Sequence, residues 1–122
     1  YLLNNIDTNI INSSGSERPI LQAVNTNNIE AVKKLIEFGF SADGGIYNPI
    51  RFAVKNKNLE MIKLLIENDS DPTKGGNKSI KLAFENKSLE ILKFLYEIEE
   101  VKKGLNEPQR NRIERILTKI NI

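Results

Sequence analysis

The side chains that most often do chemistry in proteins are scarce in this chain. It has no histidine and no cysteine, which excludes Ser-His and Cys-His nucleophilic pairs and imidazole or thiolate metal sites. Carboxylates remain, and Glu97, Glu99 and Glu100 lie close together in the sequence. Acid–base catalysis by carboxylates needs a concave pocket, and the simpler interpretation is a solvated helix face. We therefore predict no enzyme, no catalytic residue and no cofactor.

Two short motifs resemble ligand-binding loops but lack residues that those loops require. Asp69-Ser70-Asp71 begins like a calcium loop, but Lys74 replaces the required glycine and Ile80 replaces the required glutamate. Lys78-Ser79 resembles the end of a phosphate-binding loop, but Asn77 precedes it where that motif has glycine. The acidic motif is predicted to be a turn at the end of a helix, and no metal site is predicted.

The strongest pattern in the chain is an internal repeat with a period of 30 residues. Two sets of residues recur in this register. The first set is Pro19-Ile20, Pro49-Ile50 and Ser79-Ile80, and the second is Leu35-Ile36-Glu37, Leu65-Ile66-Glu67 and Leu95-Tyr96-Glu97. A fixed period of this size indicates a solenoid, in which each repeat stacks on the next.

Each repeat has the pattern of two short helices. Pro49 suits the first turn of a helix, where its missing N–H leaves no hydrogen bond unmade. Asn58 stands where an N-cap belongs, and Glu60 follows in the first turn of the second helix. Apolar residues at helical spacing then mark one buried stripe. We predict helices over residues 19–26, 29–38, 49–56, 59–68, 79–86, 89–103 and 107–120.

These repeats resemble those of the ankyrin repeat family. The family motif runs Thr-Pro-Leu-His-x-Ala-Ala, a polar turn, a helix with Val-x-x-Leu-Leu, and then Gly-Ala-Asp-x-Asn. Residues 19–24 and 49–54 are similar to its first part, 32–36 and 62–66 to its second, and 39–43 and 69–73 loosely to its third. The Thr and His of the motif are absent, and the period is 30 residues rather than the usual value of about 33.

The resemblance implies an all-α, ankyrin-like helical-repeat solenoid. The connectors at residues 44–48 and 74–78 hold five residues each, so we expect tight turns at Gly44-Gly45 and Gly75-Gly76 in place of the family's β-hairpins. We predict one domain over residues 1–122. Its parts are a partial repeat and loop at 1–18, repeats at 19–48, 49–78 and 79–104, and a C-terminal capping helix at 105–122. The partial repeat implies that an upstream helix has been cut away or has diverged.

The C-terminal helix has one apolar and one basic side. Asn106 is its predicted N-cap, and Gly104 is predicted to end the preceding helix from the C′ position. The apolar stripe is Ile113, Ile116, Leu117 and Ile120, and the basic residues opposite are Arg110, Arg112, Arg115 and Lys119. The simplest interpretation is a cap that covers the last repeat. An alternative is a basic amphipathic helix that binds an anionic surface or nucleic acid.

The resemblance implies a protein-binding module, whose first helices line the concave face of the stack. We predict a monomer that binds another protein of unknown identity. The positions expected to be exposed on that face are Leu21, Asn25, Thr26, Arg51, Lys55, Asn56, Lys81, Glu85 and Asn86. An alternative is a regulatory or targeting segment of a larger enzyme or effector.

Composition adds little to the identity of the partner. The net charge of +2, from 18 basic and 16 acidic residues, does not favour nucleic acid, and no apolar run reaches the roughly 18 residues of a membrane span. The lack of cysteine fits a reducing compartment, so we expect the cytoplasm. Abundant Asn, Lys and Ile are typical of an AT-rich genome. A pathogen or viral protein that acts on a host target in the host cytoplasm is therefore one hypothesis.

Overall fold

A computed structural model of the chain describes residues 18–43 and 48–120. Within these ranges the chain forms eight helices and no strand. The helices are α1 (Arg18–Asn25), α2 (Ile29–Glu37), α3 (Pro49–Lys55), α4 (Leu59–Glu67), α5 (Lys74–Glu85), α6 (Leu89–Tyr96), α7 (Glu99–Lys103) and α8 (Glu107–Ile120). The prediction of an all-α fold is confirmed. The partial repeat predicted at the start of the chain lies almost wholly outside the described residues.

Packing divides the chain into two compact units, with the boundary between Asp71 and Pro72. In the first unit α1 packs on α2 and α3 packs on α4, and the two pairs meet through α1 and α3. In the second unit α5 packs on α6, and α6 also contacts α7 and α8. The single domain and its internal boundaries remain predictions.

The sequence repeat is a repeat of buried side chains. The buried residues of the first helices are Ile20, Ala23 and Val24, then Ile50, Ala53 and Val54, then Ile80 and Ala83. Those of the second helices are Ala31, Val32 and Leu35, then Met61, Ile62 and Leu65, then Ile91, Leu92 and Leu95. Burial of each large apolar side chain contributes about 1.5–3 kcal/mol to folding. The helices therefore form where the period places their apolar stripes.

The second helix of each pair begins at the same repeat position, but its cap is not the same. Asn28 Oδ1 accepts a hydrogen bond from the Ala31 N–H at 3.0 Å, and Asn58 Oδ1 accepts one from the Met61 N–H at 3.1 Å. Ser88 makes no such cap bond, and its buried Oγ has no hydrogen-bond partner among the described residues. The first two caps are the kind that stabilises a helix start by about 1 kcal/mol.

The turn inside each helix pair places one residue in the left-handed region. Asn27, Lys57 and Lys87, 30 residues apart, have φ values of 61°, 56° and 55°. The N–H of each donates to a carbonyl of the preceding helix, at 2.9–3.2 Å. A residue with a Cβ adopts this conformation at a cost of about 1–2 kcal/mol, and asparagine tolerates it better than lysine.

The predicted connector lies within the first residues of α5 and is a tight turn built on two glycines, as predicted. Gly75, Gly76 and Asn77 have φ values of 70°, 70° and 63°, and the regular helix begins only after them. The N–H of Asn77 donates to the Thr73 carbonyl at 2.9 Å, which closes the turn. The corresponding turn predicted at Gly44-Gly45 lies outside the described residues.

Gly104 ends α7 for a reason that the sequence did not predict. Its φ is −78°, in the right-handed region, and it is the C-cap of α7, so the predicted C′ position is wrong. A Cβ at this position would lie 2.5 Å from Nδ2 of Asn77. That side chain is 3% exposed and donates a hydrogen bond to the Val101 carbonyl at 3.0 Å. Glycine is needed here because the Asn77 amide occupies the space of a side chain.

The helix predicted over residues 89–103 is two helices. Ile98 has φ −77° and ψ 123°, an extended conformation that separates α6 from α7. Its N–H donates to the Leu95 carbonyl at 3.1 Å, which closes the end of α6. The break turns α7 so that Val101 is fully buried and accepts the bond from Asn77. A β-branched residue gives up helical geometry at little cost.

A substitution at Leu65 tests whether the 30-residue repeat has been aligned correctly with the buried core. Its side chain is fully buried, so Leu65→Ala is expected to lower the free energy of unfolding by about 2–5 kcal/mol, through lost burial and a residual cavity. Urea unfolding followed by circular dichroism measures the change. The control Glu67→Ala alters an exposed residue of the same helix and should change stability by less than about 0.5 kcal/mol. Equal effects of the two substitutions would contradict the register.

Because Lys87 lies in the left-handed turn and Lys93 lies inside a helix, replacement of each by glycine should change the free energy of unfolding in opposite directions. Lys87→Gly is expected to raise the free energy of unfolding by about 0.5–1 kcal/mol, because glycine adopts positive φ without steric cost. Lys93→Gly, inside α6, should lower it by about 1 kcal/mol. Urea unfolding of both variants measures the pair of shifts. Destabilisation of both variants to the same extent would contradict the turn geometry.

Candidate binding surfaces

The first unit exposes part of the predicted contact set on α1 and α3. Arg51 and Lys55, one helical turn apart on α3, are both exposed, and Asn25 is exposed at the end of α1. Leu21 and Phe52 are half-buried, and the Arg51 guanidinium carbon lies 5.7 Å from the centre of the Phe52 ring. We call Leu21, Asn25, Arg51, Phe52 and Lys55 the α1–α3 surface. It combines two cations with partly accessible apolar groups.

Two of the predicted contact residues in this unit are occupied by backbone hydrogen bonds. Thr26 Oγ1 donates to the Gln22 carbonyl at 2.9 Å. Asn56 Nδ2 donates to the Asn25 carbonyl at 3.0 Å, across the junction between the two helix pairs. Asn56 is half-buried as a result. Thr26 thus closes the end of α1 and Asn56 joins the two helix pairs. The prediction that they contact a partner stays a prediction.

The second unit holds the remaining predicted residues and a groove that the sequence did not predict. Lys81 and Glu85 are exposed on α5, and Asn86 is half-buried after it. The groove, with a volume of about 260 Å³, lies between α5 and the N-terminal part of α8. Its apolar lining is Ile80, Phe84, Leu105 and Ile113, and its polar lining is Lys81, Glu85, Gln109 and Arg112. We call these eight residues the α5–α8 groove.

One wall of the groove is held by a reciprocal pair of hydrogen bonds at the start of α8. Asn106 Oδ1 accepts from the Gln109 N–H at 2.9 Å, and Gln109 Oε1 accepts from the Asn106 N–H at 2.9 Å. This capping box satisfies two N–H groups that would otherwise be unpaired at the helix start. Asn106 is therefore the N-cap that the sequence predicted. The amide oxygen of Gln109 is already in use.

The charged residues of α8 divide differently from the prediction. Arg112, Arg115 and Lys119 are exposed, as expected. Arg110 is half-buried, and its Nη1 donates a hydrogen bond to the Leu105 carbonyl, so its predicted place on the outer face is wrong. Of the predicted apolar stripe, Ile113 and Leu117 are buried and Ile116 is half-buried. The side chain of Ile120 lies outside the described residues.

Comparison with known families identifies the repeats. The family model for ankyrin repeats in three copies matches residues 1–74 and again residues 20–106. The chain belongs to the ankyrin repeat family. Ankyrin repeats are generally protein–protein interaction modules and are typically non-catalytic. No curated protein and no solved structure matches the chain.

The acidic motifs singled out from the sequence of these ankyrin repeats lie at helix ends. Asp69 has φ 76°, and the Ser70 N–H donates to the Leu65 carbonyl at 3.0 Å, so the predicted turn closes α4. Glu97, Glu99 and Glu100 are exposed. In the parts of the chain that the structure describes, no group of three or more acidic residues could hold a metal ion. None of the described helices has the length and apolar character needed to cross a membrane.

Tyr96 links the last ankyrin repeat to α8. Its side chain is 5% exposed, and its hydroxyl donates a hydrogen bond to the Glu114 carboxylate. The ammonium of Lys102 lies 4.9 Å from the centre of the ring. Burial raises the pKa of Tyr96 from 10.0 to about 12, and the hydrogen bond and negative charge of Glu114 add to the shift. The Tyr96 hydroxyl therefore keeps its proton to higher pH in the folded chain.

The raised pKa predicts how stability changes at alkaline pH. The unfolded chain releases the Tyr96 proton near pH 10 and the folded chain near pH 12. The stabilisation that depends on the protonated hydroxyl is therefore complete below pH 10 and lost between about pH 10 and 12. Tyr96→Phe should cost about 1 kcal/mol at pH 7 through the lost hydrogen bond.

The matched measurement is urea unfolding of the wild type and Tyr96→Phe across pH 7–12. We expect the two stability curves to converge above pH 10, because only the wild type has this proton to lose. Other tyrosines and lysines titrate in the same range, but they are common to both proteins. A constant difference between the curves at every pH would contradict the assigned hydrogen bond.

Proposed function

We propose that this ankyrin repeat chain binds an acidic, partly apolar surface of another protein through its first helices. The α1–α3 surface supports the proposal best. Arg51 and Lys55 point into solvent beside the half-buried Leu21 and Phe52. Such a combination offers a partner both burial of apolar area and charge pairing, which together give affinity and orientation.

The difference between α2 and α3 carries the proposal. On α2 both lysines are paired within their own helix, Lys33 with Glu30 at 3.8 Å and Lys34 with Glu37 at 3.7 Å. On α3, Arg51 and Lys55 make no ion pair with any described residue. Charges that the chain leaves unbalanced on its own surface attract acidic groups of a partner, whereas i,i+3 pairs are already balanced.

Charge reversal on α3 tests the proposal. The first step is a pull-down with the full chain from cell lysate, followed by titration of the recovered partner. Arg51→Glu/Lys55→Glu should weaken that complex by at least about tenfold, because it sets like charges against an acidic partner. The free energy of unfolding should change by less than about 0.5 kcal/mol, since both residues are exposed.

The control makes the same change of net charge on the second helices. Lys33→Glu/Lys63→Glu reverses two exposed lysines of α2 and α4 and should leave the affinity within about twofold of the wild type. Equal weakening by both double variants would show that only the net charge matters. Unchanged binding of the α3 variant would place the contact elsewhere on the chain.

A further inference from the structure

The α5–α8 groove has the size of a pocket for side chains. Its volume of about 260 Å³ is below the roughly 300–1,000 Å³ typical of pockets that enclose a drug-sized molecule. Ile80, Leu105 and Ile113 form a buried apolar base, and the half-buried Phe84 offers accessible ring surface above it. A groove of this kind accommodates one or two apolar side chains of a larger partner.

The polar lining of the groove favours an anion beside that apolar side chain. Lys81 and Arg112 are both exposed cations, and Glu85 is the single acid of the lining. Neither cation makes a hydrogen bond or ion pair with any described residue. Gln109 is held in the capping box. The cations left available to a ligand are thus Lys81 and Arg112, and arginine pairs with a carboxylate through two parallel hydrogen bonds.

We propose that the α5–α8 groove binds a peptide segment of a partner protein in which a bulky apolar side chain lies next to a carboxylate. The apolar side chain packs on Phe84 and the base of the groove, and the carboxylate pairs with Arg112 and Lys81. The inference deepens the proposed function, since it rests on protein binding, and it adds a second, independent contact in the second unit. It assigns a binding role to the predicted capping helix.

A peptide fits these observations better than a phosphate-rich ligand. Nucleic acids and anionic membranes bind along rows of cations through repeated phosphate contacts. In the groove the acid Glu85 lies beside the cations, and the base is apolar. A phosphate gains nothing from an apolar base and is repelled by an acid. Arg115 and Lys119 are exposed on the same helix but do not line the groove. A ligand that recognises only basic charge would use them as readily as Arg112, and this difference supplies the test.

The experiment selects peptides from a random 12-residue display library on the full chain. We expect the enriched sequences to share a large apolar residue within two positions of Asp or Glu. A synthetic, fluorescein-labelled peptide of the enriched sequence is then titrated by fluorescence polarisation. Replacement of its apolar residue by serine, or of its acid by the corresponding amide, should each weaken binding roughly tenfold.

Two matched pairs of variants locate the site. Arg112→Glu should weaken the labelled peptide about tenfold, whereas Arg115→Glu, the same change on an exposed residue of the same helix, should alter binding less than about twofold. Lys81→Glu should act like Arg112→Glu, with Lys93→Glu on α6 as its control. All four residues are exposed, so circular dichroism and thermal unfolding should be unchanged and a loss of binding is not a loss of fold.

Three results would overturn the inference. They are a library that enriches no such sequence, peptides that bind Arg112→Glu as well as the wild type, and equal losses in Arg112→Glu and Arg115→Glu. The last result would indicate attraction to the basic side of α8, as for an anionic surface. Peptides that lose affinity on Arg51→Glu/Lys55→Glu instead would leave the proposed function standing and remove only the groove. If Arg51→Glu/Lys55→Glu binds the captured partner as tightly as the wild type and the peptide results hold, the groove stands and the α1–α3 surface is removed.

Discussion

The helices of the first unit are only seven to nine residues long, and helices of that length do not persist in water without tertiary contacts. What holds them is the burial of one apolar stripe per helix. Ile20, Ile50 and Ile62 have no exposed surface at all. Because α1 packs on α3, each helix pair supplies part of the environment that its neighbour needs. The remaining surface is free to carry charge, and both proposed binding surfaces lie there.

Within this scheme the polar residues of the turns make unequal contributions. Asn28 and Asn58 cap their helices, whereas Ser88 at the same repeat position does not. Asn58 Nδ2 also donates to Asn27 Oδ1 at 3.1 Å, which joins the turns of neighbouring pairs. The repeats share one backbone plan, but their local stability need not be equal. Differences of this size determine which part of a repeat array opens first.

The repeat architecture could be predicted from the sequence because its signals are local and occur three times. Pro49 and Asn58 mark helix starts, and the 30-residue offset of the apolar residues gives the register. Features that depend on contacts between distant residues could not be predicted. Ile98 continues the apolar pattern of its helix, so nothing in that pattern marks the break before the buried Val101.

The candidate binding surfaces likewise have features that the sequence predicts and features that depend on contacts between distant residues. Exposure of Arg51, Lys55, Lys81 and Glu85 follows from their positions between buried neighbours in each repeat. The α5–α8 groove does not follow from the repeat positions, because Phe84 and Ile113 come together only when the start of α8 lies beside α5. Arg110 has the spacing of a solvent-exposed residue, yet a backbone carbonyl within reach draws it inward. Periodicity predicts which side of a helix is buried, but not which long polar side chains find a partner.

The contact between Asn77 and Gly104 also limits how the sequence can change over evolution. A Cβ at position 104 would lie 2.5 Å from the Asn77 amide nitrogen, so a substitution there should lower stability while Asn77 is present. Loss of Asn77 first removes its hydrogen bond to Val101, and a replacement must still accept a φ of 63°. Glycine meets that requirement best. The effects of substitutions at the two positions are therefore coupled: a side chain at position 104 should cost less stability once the Asn77 amide is gone.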